Sequence, residues 1–190
     1  MAEKHAPGTT AAMATPGYDF ASNWNPVPLW ASIHIEVGGL SVSTCCVPQV
    51  SVVNGNLQAA LDAAAINSSP VGWPELASGD SYAVRLARDR AVVVGGKALR
   101  PGWHAEGFAV SLSDDAGVVF GISGSGLEQL LSLGAAVFID RPSASASRLF
   151  AGLPVILYRH GHETAVRLHV ARPRAAAMLE WLTISLAQLR

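Results

Sequence analysis

"VVFGISGSGLEQLLSLG", residues 118–134, decides how the rest of the chain is read. An apolar run leads into glycines at 121, 124 and 126. Leucines at 127, 130 and 131 then follow at helical spacing. That order predicts a strand, a sharp turn and a helix. Phosphate-binding turns share this outline, so the glycines need a closer look. A dinucleotide fingerprint requires a third glycine three positions after the second, and Gln129 stands there. A P-loop requires a Lys-Ser or Lys-Thr pair, and none follows. The glycines therefore read as geometry, letting the backbone bend steeply into the helix. Ser123 or Ser125 is the expected N-cap and Gly134 the expected C′ residue.

The same outline occurs earlier. "QVSVVNGNLQAALDAAA", residues 49–65, aligns with the opening stretch, Leu57 over Leu127 and Leu61 over Leu131. Each copy is followed by two β-rich runs joined by a short turn: 81–87 with 90–95 about Arg88-Asp89, and 153–159 with 164–170 about His160-Gly161-His162. Strand, turn, helix and hairpin make a split βαβ unit, here used twice. The predicted class is α+β, with two ferredoxin-like split βαβ units, antiparallel sheets and packed helices. Further strands are expected at 33–37, 40–53 (broken at Pro48), 107–112, 117–122 and Val137–Ile139. A last helix opens at Pro173 and carries Ala177, Met178, Trp181, Leu182, Ser185 and Leu189 on one face. Residues 31–190 are read as one compact domain of two lobes, about 31–112 and 113–190. Residues 1–30, rich in Ala, Thr, Pro and Gly, are read as an arm without a secretory signal.

Bulk composition narrows the function. Of 190 residues, 50% are apolar and only 14% are charged, against roughly 25% charged in ordinary soluble domains. No run approaches the ~20 apolar residues of a membrane span. The surplus fits either a large core of small residues or a surface covered by another chain. A net charge of −1 leaves no electrostatic footprint for nucleic acid. The two cysteines, Cys45 and Cys46, are adjacent, which suits free thiols in a reducing cytoplasm rather than a disulfide or a closed zinc site.

Other chemical patterns are thin. His160, His162 and His169 cluster in sequence, but two of them bracket a hairpin tip, where imidazoles are normally solvated. There is no G-x-S-x-G elbow. Asp114-Asp115 reads as a turn, and Arg159, Arg167, Arg172 and Arg174 do not form a block. No catalytic, cofactor-binding or metal-ligating residue is assigned. Aromatics in loops or the arm are typical interface anchors. Trp24, Trp30, Trp73 and Trp103 are therefore the candidate partner contacts, and Trp181 is expected in the core.

"GVVFGISGSGLEQLL" (117–131), "LPVILYRHG" (153–161) and "VRLHVARPRAAAMLEWL" (166–182) together resemble the gamma subunit of heterotetrameric sarcosine oxidase. The most specific part is Leu168-His169-Val170, Arg172 and the Trp181-Leu182 pair. Residues 61–94 resemble the family's helix, Pro-bearing loop and strand pair more weakly, and the likeness spans roughly 47–189. The chain departs from the family at the Arg88-Asp89-Arg90-Ala91 turn, in the short "RPSASASRLFAG" stretch, and in the arm.

The resemblance implies a fold similar to part of the folate-binding aminomethyltransferase of glycine cleavage. It implies a subunit without chemistry of its own, packed against a large subunit. The FAD, FMN, NAD and zinc would belong to other subunits of the heterotetramer. Such a complex oxidises an N-methyl amine at a flavin, reduces oxygen to peroxide and can pass the one-carbon unit to tetrahydrofolate. Two other readings stand beside it. One is a stand-alone folate-binding protein of one-carbon transfer, with Glu106 or Asp80 holding the pterin. The other is a small-molecule binding module without chemistry.

Overall fold

A computed structural model describes residues 27–135 and 141–189. Trp24, most of the arm and the expected strand Val137–Ile139 lie outside them.

Antiparallel hairpins and two strand–helix corners organise the chain. β1 (His34–Val37) and β2 (Leu40–Thr44) form a hairpin and are followed by β3 (Val50–Gly55), α1 (Leu57–Ala63) and the two-residue β4 (Leu76–Ala77). β5 (Tyr82–Ala87), β6 (Arg90–Val94), β7 (Gly102–His104) and β8 (Phe108–Leu112) complete the first half. The second half holds β9 (Gly117–Gly124), α2 (Leu127–Gly134), β10 (Ser147–Phe150), β11 (Leu153–His160), β12 (His162–Ala171) and α3 (Ala175–Gln188). A 3₁₀ turn at Arg172–Arg174 leads into α3, with Pro173 in the first turn as its fixed φ favours.

The strands form two sheets. One has the order β5-β6-β3-β8-β7; the other runs β1-β2-β9-β12-β11-β10, with β4 added parallel to β11. In the first sheet β6 lies between β3 and β5, which are joined through α1. In the second, β12 lies between β9 and β11, joined through α2. The fold is thus α+β with the split βαβ unit present twice, as the repeat predicts. The match extends one hairpin further. β7–β8 flanks β3, and β1–β2 flanks β9 in the same relation. In the second sheet that outer hairpin comes from the start of the chain, so residues 34–44 pair across the boundary expected near 112.

Burial follows alternation along the strands. One face of the second sheet gives Val42, Phe120, Ile122, Leu157, Leu168 and others to a core closed by α2 and α3. Val53, Ala83, Ala91, Val93, Phe108 and Val110 of the first sheet pack with α1. The remaining two faces meet through Tyr82, Val84, Val92, Val94 and Tyr158. The layers are therefore helices, sheet, sheet, helix.

Glycines explain the corners. Gly124 has φ +129°, and a Cβ there would overlap the carbonyl oxygen of Gly39 in the β1–β2 turn. Gly55 has φ +106°, and its Cβ would overlap the carbonyl oxygen of Gly107 in the β7–β8 turn. Each repeat therefore carries the same close approach of a strand end to its outer hairpin. The capping expectations divide. Asn56 caps α1, its side-chain oxygen accepting from Ala59 N–H at 3.2 Å. The N-cap of α2 is Gly126 and not a serine; the corner is one residue longer, which carries Ser125 out of the cap position. Gly134 is the last helical residue rather than C′, and a Cβ there would enter the Phe150 ring.

Candidate functional site

Along β12, Val166, Leu168 and Val170 turn toward the helices, so Arg167 and His169 turn toward the other sheet. Tyr158 on β11 is the register partner of Arg167 and shares that face. Tyr82, the first residue of β5, meets them from the opposite sheet. Arg167 Nη1 donates to the Tyr82 hydroxyl. The Tyr82 and Tyr158 hydroxyls are 2.8 Å apart, and Tyr158 Oη lies 2.8 Å from His169 Nε2.

Donor arithmetic orients this chain. A guanidinium only donates, so Tyr82 accepts from it, and passing the Tyr82 proton to Tyr158 and the Tyr158 proton to His169 Nε2 is the arrangement that gives both hydroxyl protons an acceptor within the run. His169 is left as the Nδ1–H tautomer. Burial, helped by the charge of Arg167, pushes the imidazole down to about 3 and keeps it neutral. Burial also drives the Tyr158 phenol well above its ordinary value, with neighbouring Tyr82 adding to the effect. The four residues pin the two sheets together through three consecutive hydrogen bonds.

Beside this pin the sheets separate and leave a cleft of about 960 Å³, near the top of the range for small-molecule sites. Ser147, Ile156, His169 and Val119 lie in one row across the second sheet, and Cys45 extends the row by donating its N–H to the Val119 carbonyl at 2.7 Å. Val50, Val52 and Val92 form the facing wall, and Trp30, Asp114, Arg148 and Arg172 also line the cleft. Burial raises the Cys45 thiol above its usual range against the opposing pull of Arg167, so it is a thiol and not a thiolate.

The candidate partner contacts separate. Trp103 is 68% exposed on edge strand β7. Trp30 is half-buried, edge-on to Phe120 with centroids 6.2 Å apart. Trp73 is a correction: at 1% exposure it belongs to the core, with Arg159 5.4 Å from its ring centre. Its loop folds inward, where Trp73 N–H donates to the Ser143 carbonyl. Trp181 is half-buried, edge-on to Phe150. Ala177 faces solvent, and Ala175 takes the expected core place.

The three histidines do not gather. His162 is exposed and bonded to Thr164, His160 lies against the Tyr82 ring, and His169 joins the pin. Three of the arginines are engaged within the chain: Arg159 pairs with Glu128 at 2.6 Å, Arg167 joins the pin, and Arg172 donates to the Asp115 carbonyl. Glu106 and Asp80 are exposed and outside the cleft lining. Tyr82 and Tyr158 carry no local motif. The available signal was the Arg167–His169 alternation, which puts polar groups on an inward strand face.

No helix among the described residues is long and apolar enough to cross a membrane. Neither a family model nor a curated protein sequence matches this chain. Among solved structures, it is similar to a chain of heterotetrameric sarcosine oxidase from Corynebacterium sp. U-96 in complex with pyrrole 2-carboxylate. The identity is 15%, the TM-score is 0.64, and the match covers 81% of this chain and 88% of that one. At that identity the likeness is one of fold, and it takes in most of both chains.

Proposed function

We propose that this chain is a non-catalytic, gamma-type subunit of a flavin-dependent N-methyl amine oxidase complex of the heterotetrameric sarcosine oxidase kind. The observation that carries the reading is the fold match, which covers 88% of a chain from such a complex rather than one domain of a larger protein. In this reading the FAD, FMN, NAD and zinc are held by the other subunits. The present chain packs on the large subunit in a reducing cytoplasm, in keeping with its free Cys45 and Cys46. Exposed Trp103 on the β7 edge is the first contact to test, with Trp24 and Trp30 after it. Obligate interfaces bury such aromatics in water-free pockets.

Co-expression with the large and flavin-bearing subunits of such a complex tests the proposal. The expected result is a stoichiometric complex whose peroxide production depends on an N-methyl amine. A flavoprotein that assembles and turns over equally well without this chain, while the chain elutes alone, would end it. The alternative, a stand-alone folate-binding aminomethyltransferase-like protein, would show a lone chain stabilised by tetrahydrofolate. Its two candidate carboxylates, Glu106 and Asp80, lie away from the cleft.

A further inference from the structure

We propose that the cleft between the sheets is the seat of the chain's own arm, filled by the aromatic run Tyr18, Phe20 and Trp24. The proposal stands whether or not the chain is a subunit of a larger complex. The described chain starts at Val27, and residues 1–26 precede it. Its first residues lie at the cleft, with Trp30 and Ala31 part of the lining. The Trp30 carbonyl accepts from the Thr44 hydroxyl, and the Trp30 ring stands edge-on to Phe120. The root of the arm is therefore tied where β2 ends. Just before it, Val27 is 82% and Leu29 74% exposed, more than any other large apolar residue described. Apolar chain thus runs uncovered up to the cleft mouth, and such surface marks a place of contact.

The cleft has the chemistry to receive that run. Val50, Val52 and Val92 face Val119 and Ile156 across it, and the Cys45 thiol at its edge is uncharged. The charged groups of the lining are already held. Asp114 accepts from the Val50 N–H, Arg148 donates to the carbonyls of Ser145 and Ser147, and Arg172 Nε donates to the Asp115 carbonyl. What remains is apolar wall, which suits rings and not a charged ligand. Tyr18, Phe20 and Trp24 are the only Phe, Tyr or Trp among residues 1–26, and Asp19 is the one charge within 18–24. Each such ring buries about 150–250 Å² when covered. Trp24 precedes Trp30 by six residues and Phe20 by ten, spans of at most roughly 20 and 35 Å of chain. Both can fold back over a mouth that Trp30 itself lines. A tether this short sets an effective concentration on the order of mM, which favours the chain's own run over a second copy or a partner with the same rings. Trp24 is then used within the chain, and Trp103 stays the first partner contact.

The test uses the full-length chain carrying Cys46→Ser, which leaves Cys45 as its single thiol, at the cleft. Alkylation by iodoacetamide, followed by mass, reads how open the cleft is. Phe20→Ser with Trp24→Ser should speed alkylation of Cys45 at least tenfold and lower the thermal midpoint. Val52→Asn, which makes the wall polar, should speed it likewise. Adding it to the arm pair should bring little more, because both release the same contact. If the wall variant fails to fold, the arm pair alone decides, since it leaves the two sheets untouched. An alkylation rate unchanged by the arm pair would overturn the proposal. So would protection of Cys45 that weakens on dilution, which marks a second copy. Protection that appears only when the flavin-bearing subunits are added would also overturn it and give the cleft to the partner.

Discussion

A side chain at position 124 has no room and the wrong backbone. Gly124 combines φ +129° with the Gly39 carbonyl directly where Cβ would stand, whereas Gly152 has φ +74° and open space around it. Gly124→Ala is therefore expected to cost about 3 kcal/mol or more, and Gly152→Ala only about 1 kcal/mol. Urea midpoints at constant m-value measure both, and equal losses would mean that backbone strain alone, without the clash, governs the corner. The Tyr158 hydroxyl links two groups, so Tyr158→Phe strands His169 Nε2 and the Tyr82 proton together, at a cost of about 1–3 kcal/mol. The same network carries a pH dependence. His169 titrates near 6.5 when unfolded and near 3 in the fold, so the unfolded chain binds the extra proton between those values. Its contribution is complete above 6.5 and fades as the pH falls toward 3. In His169→Gln the fall of stability over that window should be shallower by up to one proton's worth. An unchanged slope, followed by urea unfolding at a series of pH values, would show that the imidazole is not held neutral.

At the level of elements, short-range pattern carried most of the secondary structure. Alternation of Val and Ile marked β3, β6, β9, β11 and β12, and leucine spacing marked α2 within a residue of its ends. The strands it did not mark are β4, β7 and β10, all brief and set among Gly, Pro and Ser. Their extension is imposed by a neighbouring strand rather than by their own side chains. Pairing of β1–β2 with β9 was equally invisible, because nothing local in Leu40–Thr44 names a partner some eighty residues away. The same holds for the pin, since Tyr82 and Arg167 come from different halves of the sequence and meet only when the sheets stack. The cleft is a spacing between layers and has no motif at all. Two tests belong here. Amides of β2 should exchange with β9 and β12 as one cooperative unit and not with β3, and Leu130→Ala, on the buried face of α2, should cost about 2–5 kcal/mol.

For the whole molecule, the two tryptophans once grouped together make opposite predictions. Trp73→Ala removes a core ring and should lower stability by about 3–5 kcal/mol with or without a partner. Trp103→Ala should leave the isolated fold nearly unchanged and weaken assembly by about 2 kcal/mol if β7 meets the large subunit. Chemical denaturation of the lone chain beside a pull-down titration of the complex separates the two. The borrowed hairpin also has a bearing on how the protein is made. Leu40–Thr44 leaves the ribosome first, yet the strand that completes its ladder, β9, is not finished until Gly124. At about 5–20 residues per second, the nascent hairpin waits several seconds with one edge unpaired while the sheet of β3, β5, β6, β7 and β8 emerges beside it. Vectorial synthesis thus hands the chain a competing partner before the proper one exists.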